Sequence, residues 1–181
     1  AVFMGSKTLR ATLAGTVMGA LALVGSAVTA QESSDQVAAK TDWSVFVESS
    51  PKECWAVTTF KESVNTRNGA VVAVRRTQTL LMVFFRPDAN VKGQVGFTGG
   101  YPFKSGSTVS LKVDDNSFDL FTEGEWAWPQ STEDDAKIVA AMKRGKQAVI
   151  VGESGRGTRT EDTFSLLGFT AAHDDAGKRC G

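Results

Sequence analysis

The chain has 181 residues, enough for one domain and short for two, and its 41% hydrophobic and 22% charged residues are ordinary for a folded globular protein. Basic and acidic residues balance at 20 each, so the positive excess that a nucleic-acid binder uses to neutralise phosphates is missing. One histidine and two cysteines leave little material for a metal site or a nucleophile–base pair, so no metal and no cofactor is expected.

The first thirty residues read as a secretory signal peptide. Lys7 and Arg10 form a basic start, and residues 11–30 carry no ionisable side chain. The apolar centre is Val17-Met18-Gly19-Ala20-Leu21-Ala22-Leu23-Val24, and Val28-Thr29-Ala30 has the small and β-branched residues of a cleavage site. That centre is about half of the ~20 apolar residues that a membrane-spanning helix needs. Cleavage after Ala30 is therefore expected, with the natural start at Met4, and no transmembrane span then remains. Cleavage leaves 18 of the 20 basic residues against 20 acidic ones, a net charge of −2. The expected address is the periplasm, with the outer membrane or the medium as further destinations. Residues 31–41 are polar and small and read as a flexible linker, so the folded domain is expected over 42–181.

Short apolar or alternating blocks then follow one another, each read as a strand. They are 42–48, 54–60, 70–76, 79–86, 94–97, 107–113, 118–123, 146–151 and a last one within 158–167. Asn68-Gly69 and Asp114-Asp115-Asn116-Ser117 mark turns between them. Leu80-Leu81-Met82-Val83-Phe84-Phe85 is apolar on both faces and reads as a central strand. Thr132 precedes Glu133, Asp134 and Asp135, a helix start. Ile138, Val139 and Met142 lie on one face, and Lys143-Arg144-Gly145 is a helix end. A second short helix is expected near 169–178. The pattern predicts a mainly β, antiparallel, β-sandwich-like single domain with one or two short helices.

Cys54 and Cys180 are the only cysteines, and both lie in the exported part. An even count in an oxidising compartment favours a disulfide. The other reading is two free thiols. His173 lies two helical turns from Cys180, which argues against a Cys–His nucleophile.

Several stretches carry possible chemistry. In Glu123-Gly124-Glu125-Trp126-Ala127-Trp128-Pro129 the two tryptophans point to one side of an extended chain. They are either a stacking platform for a sugar or peptide, or core filling. Glu123 and Glu125 are the one candidate carboxylate pair for an envelope-polymer hydrolase, which would need both acids beside one bond. Phe97-Thr98-Gly99-Gly100-Tyr101-Pro102-Phe103 is either the lining of a groove, with Tyr101 and Phe103 displayed, or a turn stapled to the core. Gly152-Glu153-Ser154-Gly155-Arg156-Gly157 has the glycines of a phosphate loop without its Gly-Lys-Ser/Thr ending. Arg156 and Arg159 are anion-binding candidates there, or solvated loop charges. Lys61, Arg67, Arg75 and Arg76 are a second basic set.

The order of these features resembles the invasion-associated locus B family of Gram-negative bacteria. The match runs from Trp43-Ser44-Val45-Phe46 through Pro51-Lys52-Glu53-Cys54-Trp55-Ala56-Val57 and the 95–103 stretch to Thr163-Phe164-Ser165-Leu166-Leu167-Gly168-Phe169-Thr170-Ala171-Ala172 and Cys180. The resemblance implies an exported, β-rich envelope protein without a catalytic set. It also implies a host-invasion role in pathogen relatives. Many members have more cysteines in the first half than this chain. The expectation is a non-catalytic binding module whose partner is an envelope protein or a host-surface ligand. Its candidate surface is Tyr101, Phe103, Trp126, Trp128, Arg156 and Arg159.

Overall fold

The computed structural model describes residues 35–181. The expected signal peptide and the first part of the linker lie outside the described residues. Within them the strands are β1 (Gln36–Lys40), β2 (Trp43–Ser49), β3 (Lys52–Thr59), β4 (Glu62–Arg67), β5 (Ala70–Val71), β6 (Leu80–Arg86), β7 (Val91–Thr98), β8 (Thr108–Val113), β9 (Asn116–Glu123), β10 (Trp126–Trp128), β11 (Gln147–Glu153) and β12 (Arg159–Ser165). Two α-helices join them, α1 (Thr132–Arg144) and α2 (Phe169–Cys180).

The strands form one sheet in the order β1-β2-β3-β6-β7-β10-β9-β8-β11-β12-β4-β5. Every paired neighbour is antiparallel. A sheet this wide and twisted curls on itself. The Trp43 indole on β2 donates to the Ser165 carbonyl on β12 at 3.0 Å, and Phe97 on β7 meets Phe164 on β12 edge-on at 6.0 Å. The two layers of the expected sandwich are thus two halves of one open sheet. Between them lies the core. Val45, Ala56, Val83 and Val95 oppose one another across β2, β3, β6 and β7, and all are fully buried. Leu111, Ala148, Ile150 and Phe164 supply the facing half.

Local chemistry accounts for the helices. The Ser131 hydroxyl caps α1 by accepting from the Asp134 amide, three acids occupy its first turn, and Lys143 and Arg144 its last. Asp135 reaches past the short β10 and accepts the Val95 amide at 2.8 Å. Burial pushes the Asp135 carboxyl above its usual range, and the Val95 bond partly offsets this. Helix α2 starts at Gly168, whose φ of 89° favours glycine and where a Cβ would run into the Lys40 carbonyl. That contact accounts for the glycine in the Phe-Ser-Leu-x-Gly-Phe segment. Trp43 packs on Phe169 at 4.8 Å, and a Cys54–Cys180 disulfide ties α2 to β3.

Two expectations fail here. Residues 36–40 form β1 on the edge beside β2, so the flexible-linker assignment does not hold for them. The backbone of β2 supplies the order that their composition did not suggest. The strand expected over 70–76 shrinks to the two residues of β5, and 72–79 is irregular. Arg76 draws that segment inward through a bidentate ion pair with Asp162, at 2.7 and 2.6 Å.

Candidate functional site

The face of the sheet opposite the core is unusually aromatic. Directly opposed residues of an antiparallel pair share a face. Phe46, Trp55 and Phe84 therefore form one row across β2, β3 and β6. Val57, Met82 and Gly96 form the next, across β3, β6 and β7. Leu80, Thr98, Trp126 and Glu123 form a third, ending on β9.

Two ring pairs flank this face. Phe46 and Trp55 stack with centroids 5.6 Å apart and planes 5° from parallel. Trp126 and Trp128 stack at 5.1 Å and 15°. Phe84 lies between them, 6.2 Å from Trp126 and 6.0 Å from Trp128. Arg86 covers one side of Phe84 at 4.5 Å and is held by Glu53 at 2.9 Å and Gln94 at 3.1 Å. These groups line an open groove of about 940 Å³, with Val57, Leu80 and Met82 in its floor. Trp126 and Trp128 are half-buried, neither sealed in the core nor fully exposed.

One glycine makes the arrangement possible. A Cβ at Gly96 would stand 2.7 Å from Trp128 Cζ3 and 3.0 Å from Phe84 Cε2. Strand β7 thus contributes Gln94, Gly96 and Thr98 to this face, with no large apolar side chain among them, and the Trp128 ring packs over Gly96. The tryptophan pair was legible in the sequence. The glycine two strands' sequence away, and the partners Phe46, Trp55 and Phe84, were not, because only the register brings them together.

The other candidate residues separate. Phe103 is 7% exposed and packs against Phe97 at 6.1 Å and Tyr101 at 5.0 Å, so it is core and offers no surface. This corrects its place in the candidate surface: the turn is stapled inward. Tyr101 is half-buried, and its hydroxyl lies 2.6 Å from the Thr160 hydroxyl. Burial pushes the Tyr101 phenol above its usual range, against the Thr160 bond. Arg159 pairs with Glu161 at 2.8 Å and lines a different surface from Arg156. Lys61 pairs with Asp42 at 2.7 Å, away from the other basic residues.

Arg67, Arg75, Arg76 and Arg156 do converge, with Tyr101, around a second pocket of about 550 Å³. The glycine loop beside it is not a phosphate cradle, because its amides turn inward. Those of Arg156 and Thr158 donate to Ser154 Oγ at 3.3 and 3.1 Å, and that of Gly157 to the Ser154 carbonyl at 2.9 Å.

Glu123 and Glu125 do not share a cleft. Glu125 is half-buried and lines both pockets, whereas Glu123 is exposed and lines neither. Among the described residues no three His, Cys, Asp or Glu side chains come together as a metal cage. Among them, too, no helix is long and apolar enough to cross a membrane.

Comparison with known proteins finds a family and a fold. A family model described as "Invasion associated locus B (IalB) protein" matches residues 43–177, well over half of the chain. The crystal structure of invasion associated protein B from Bartonella henselae is similar, with a TM-score of 0.51 and 16% identity. That alignment covers 77% of this chain and 94% of the Bartonella chain. At that identity the likeness is one of fold. No curated protein matches the sequence.

Proposed function

Because the chain belongs to the invasion associated locus B family, we propose that it is an exported cell-envelope protein acting as a non-catalytic binding module, with the aromatic groove as its binding face. The observation that carries this is that four half-buried aromatics, Phe46, Trp55, Trp126 and Trp128, stand on the outer face of the sheet around one groove, over a buried Phe84 that is 5% exposed, when the core already has its own apolar set. Aromatic side chains with this much area are costly to leave wet and are typical anchors of protein interfaces.

The occupant that fits is an apolar protein segment flanked by basic residues. The groove lining includes Glu48, Glu53 and Glu125, and its one cation, Arg86, is already paired with Glu53. A segment of that character gains both burial and charge complementarity. The two stacked pairs also turn ring faces toward each other, which leaves less open ring face than a flat sugar platform would. An envelope protein is the proposed source. The Bartonella henselae relative is named as invasion associated, and a host-surface protein would present the same chemistry.

Peptide display on the purified, oxidised protein tests the reading. Wild type is expected to enrich peptides with an apolar centre and Lys or Arg flanks, and the Trp126→Ala, Trp128→Ala double variant to lose that enrichment. Enrichment that survives in the double variant, or none in the wild type, would overturn the groove assignment. Export is tested separately by fusing residues 1–30 to a reporter that folds only outside the cytoplasm. An inactive fusion would remove the envelope from the proposal.

A further inference from the structure

The arginine pocket carries an inference that does not depend on the aromatic groove. Arg67 leaves β4 with its guanidinium fixed, because Nε and Nη2 both donate to Thr158 Oγ1, at 3.1 and 2.6 Å. Arg76 forms the pocket's inner wall. It is bonded to Asp162 and to the Gly99 carbonyl at 2.7 Å, with its guanidinium carbon 5.1 Å from the Tyr101 ring centroid. Arg75 and Arg156 are exposed at its mouth, on the irregular segment and the glycine loop, and neither has a carboxylate partner among the described residues. Thr158 Oγ1 accepts from Arg67 and keeps its own proton to donate.

The charge count is lopsided. Asp162, fully buried behind the lining, is spent on Arg76, and Glu125 is the one acid in the lining against three further guanidinium groups. Guanidinium groups held apart around a concave wall repel one another, and an oxyanion between them relieves that repulsion. The loop amides are used internally, so recognition falls to side chains alone.

We propose that this pocket binds a phosphate or sulfate ester carried on a sugar, with Arg67, Arg75 and Arg156 as its ligands. The volume of about 550 Å³ admits a sugar ring as well as the ester group. Such esters occur both on lipid-linked glucosamine and on sulfated host polysaccharides.

Isothermal titration with two probes distinguishes the sources: a sulfated heparin tetrasaccharide, and phosphatidylcholine vesicles carrying a phosphorylated glucosamine lipid. Binding is expected to one or both. It should weaken as salt is raised and fall about tenfold for each of Arg75→Ala and Arg156→Ala. Lys92→Ala, a distant exposed cation on β7, should leave it unchanged. Both arginines are exposed, so thermal melts of the variants should match wild type and separate lost binding from lost folding. The proposal is overturned if neither probe binds, if the arginine variants bind like wild type, or if Lys92→Ala costs as much as they do.

Discussion

Gly96→Ala is the sharpest perturbation of the aromatic face. The new methyl would stand 2.7 Å from Trp128 Cζ3, 3.0 Å from Phe84 Cε2 and 3.2 Å from Trp128 Cε3, where carbon contacts normally settle at about 3.5–4.0 Å. Overpacking of this kind costs about 1–3 kcal/mol. Alanine returns about 0.5–1 kcal/mol by losing less backbone freedom than glycine on folding. The net expectation is a loss of about 0.5–2 kcal/mol, or a few degrees in the melting temperature of a domain this size. The half-buried Trp128 ring is the part that can move, so it should swing away from Phe84 and break its stack on Trp126. Near-ultraviolet circular dichroism reads that stack, and a thermal melt reads the cost. Gly155→Ala is the control, since the first neighbour of its Cβ is 4.0 Å away. An unchanged tryptophan signal in Gly96→Ala, with a melting temperature at or above wild type, would refute the packing described for this face.

Three further outcomes are expected. Replacing Cys54 and Cys180 together by serine opens a loop closed across 126 positions, which should lower stability by about 5 kcal/mol in the chain-entropy model. Denaturant midpoints that coincide would contradict this. Arg76→Ala strands Asp162, whose side chain is 0% exposed, and should cost about 3–5 kcal/mol, while replacing both by apolar residues should recover most of it. Equal losses in the single and double variants would refute the ion-pair account. Burial holds His173 below its ordinary value of 6.5, with the Asp174 bond opposing and the Lys143 charge assisting. Below pH 6.5 the unfolded chain then takes up a proton that the folded one refuses, so stability should decline as pH falls from there. His173→Phe, seated between Phe85 and Phe169, should flatten that slope and leave a smaller loss below 3.8 from Asp174, whose carboxyl Lys143 still holds down once the His173 bond is gone. A slope unchanged in His173→Phe would rule His173 out as its source.

Much of the frame could be read from the residues, and the failures have physical causes. Blocks such as Trp43–Ser49 and Gln147–Glu153 alternate because one face meets the core, so their period survives in the sequence. The apolar run of β6 marked a central strand correctly, but its second apolar face turned out to be the floor of the groove. Composition cannot distinguish a buried face from a sticky one. Strand β4 has no apolar alternation that would single it out in the sequence, and it is a strand because β12 offers it a partner. The 72–76 segment has a strand's valines, yet the Arg76–Asp162 pair removes it from the sheet. The arginine pocket was legible only in part. Arg67, Arg75 and Arg76 stood out as a basic set, but Arg156 joins them from a loop some eighty residues later, and Lys61 and Arg159 leave for other partners.

The groove assignment is tested most directly by the four indole N–H resonances of ¹⁵N-labelled protein during titration with an enriched peptide. Trp55, Trp126 and Trp128 line the groove, whereas Trp43 is 1% exposed and bonded to Ser165. Shifts of the first three, with Trp43 unmoved, are the expected result. A peptide that binds while those three stay still would contradict the account.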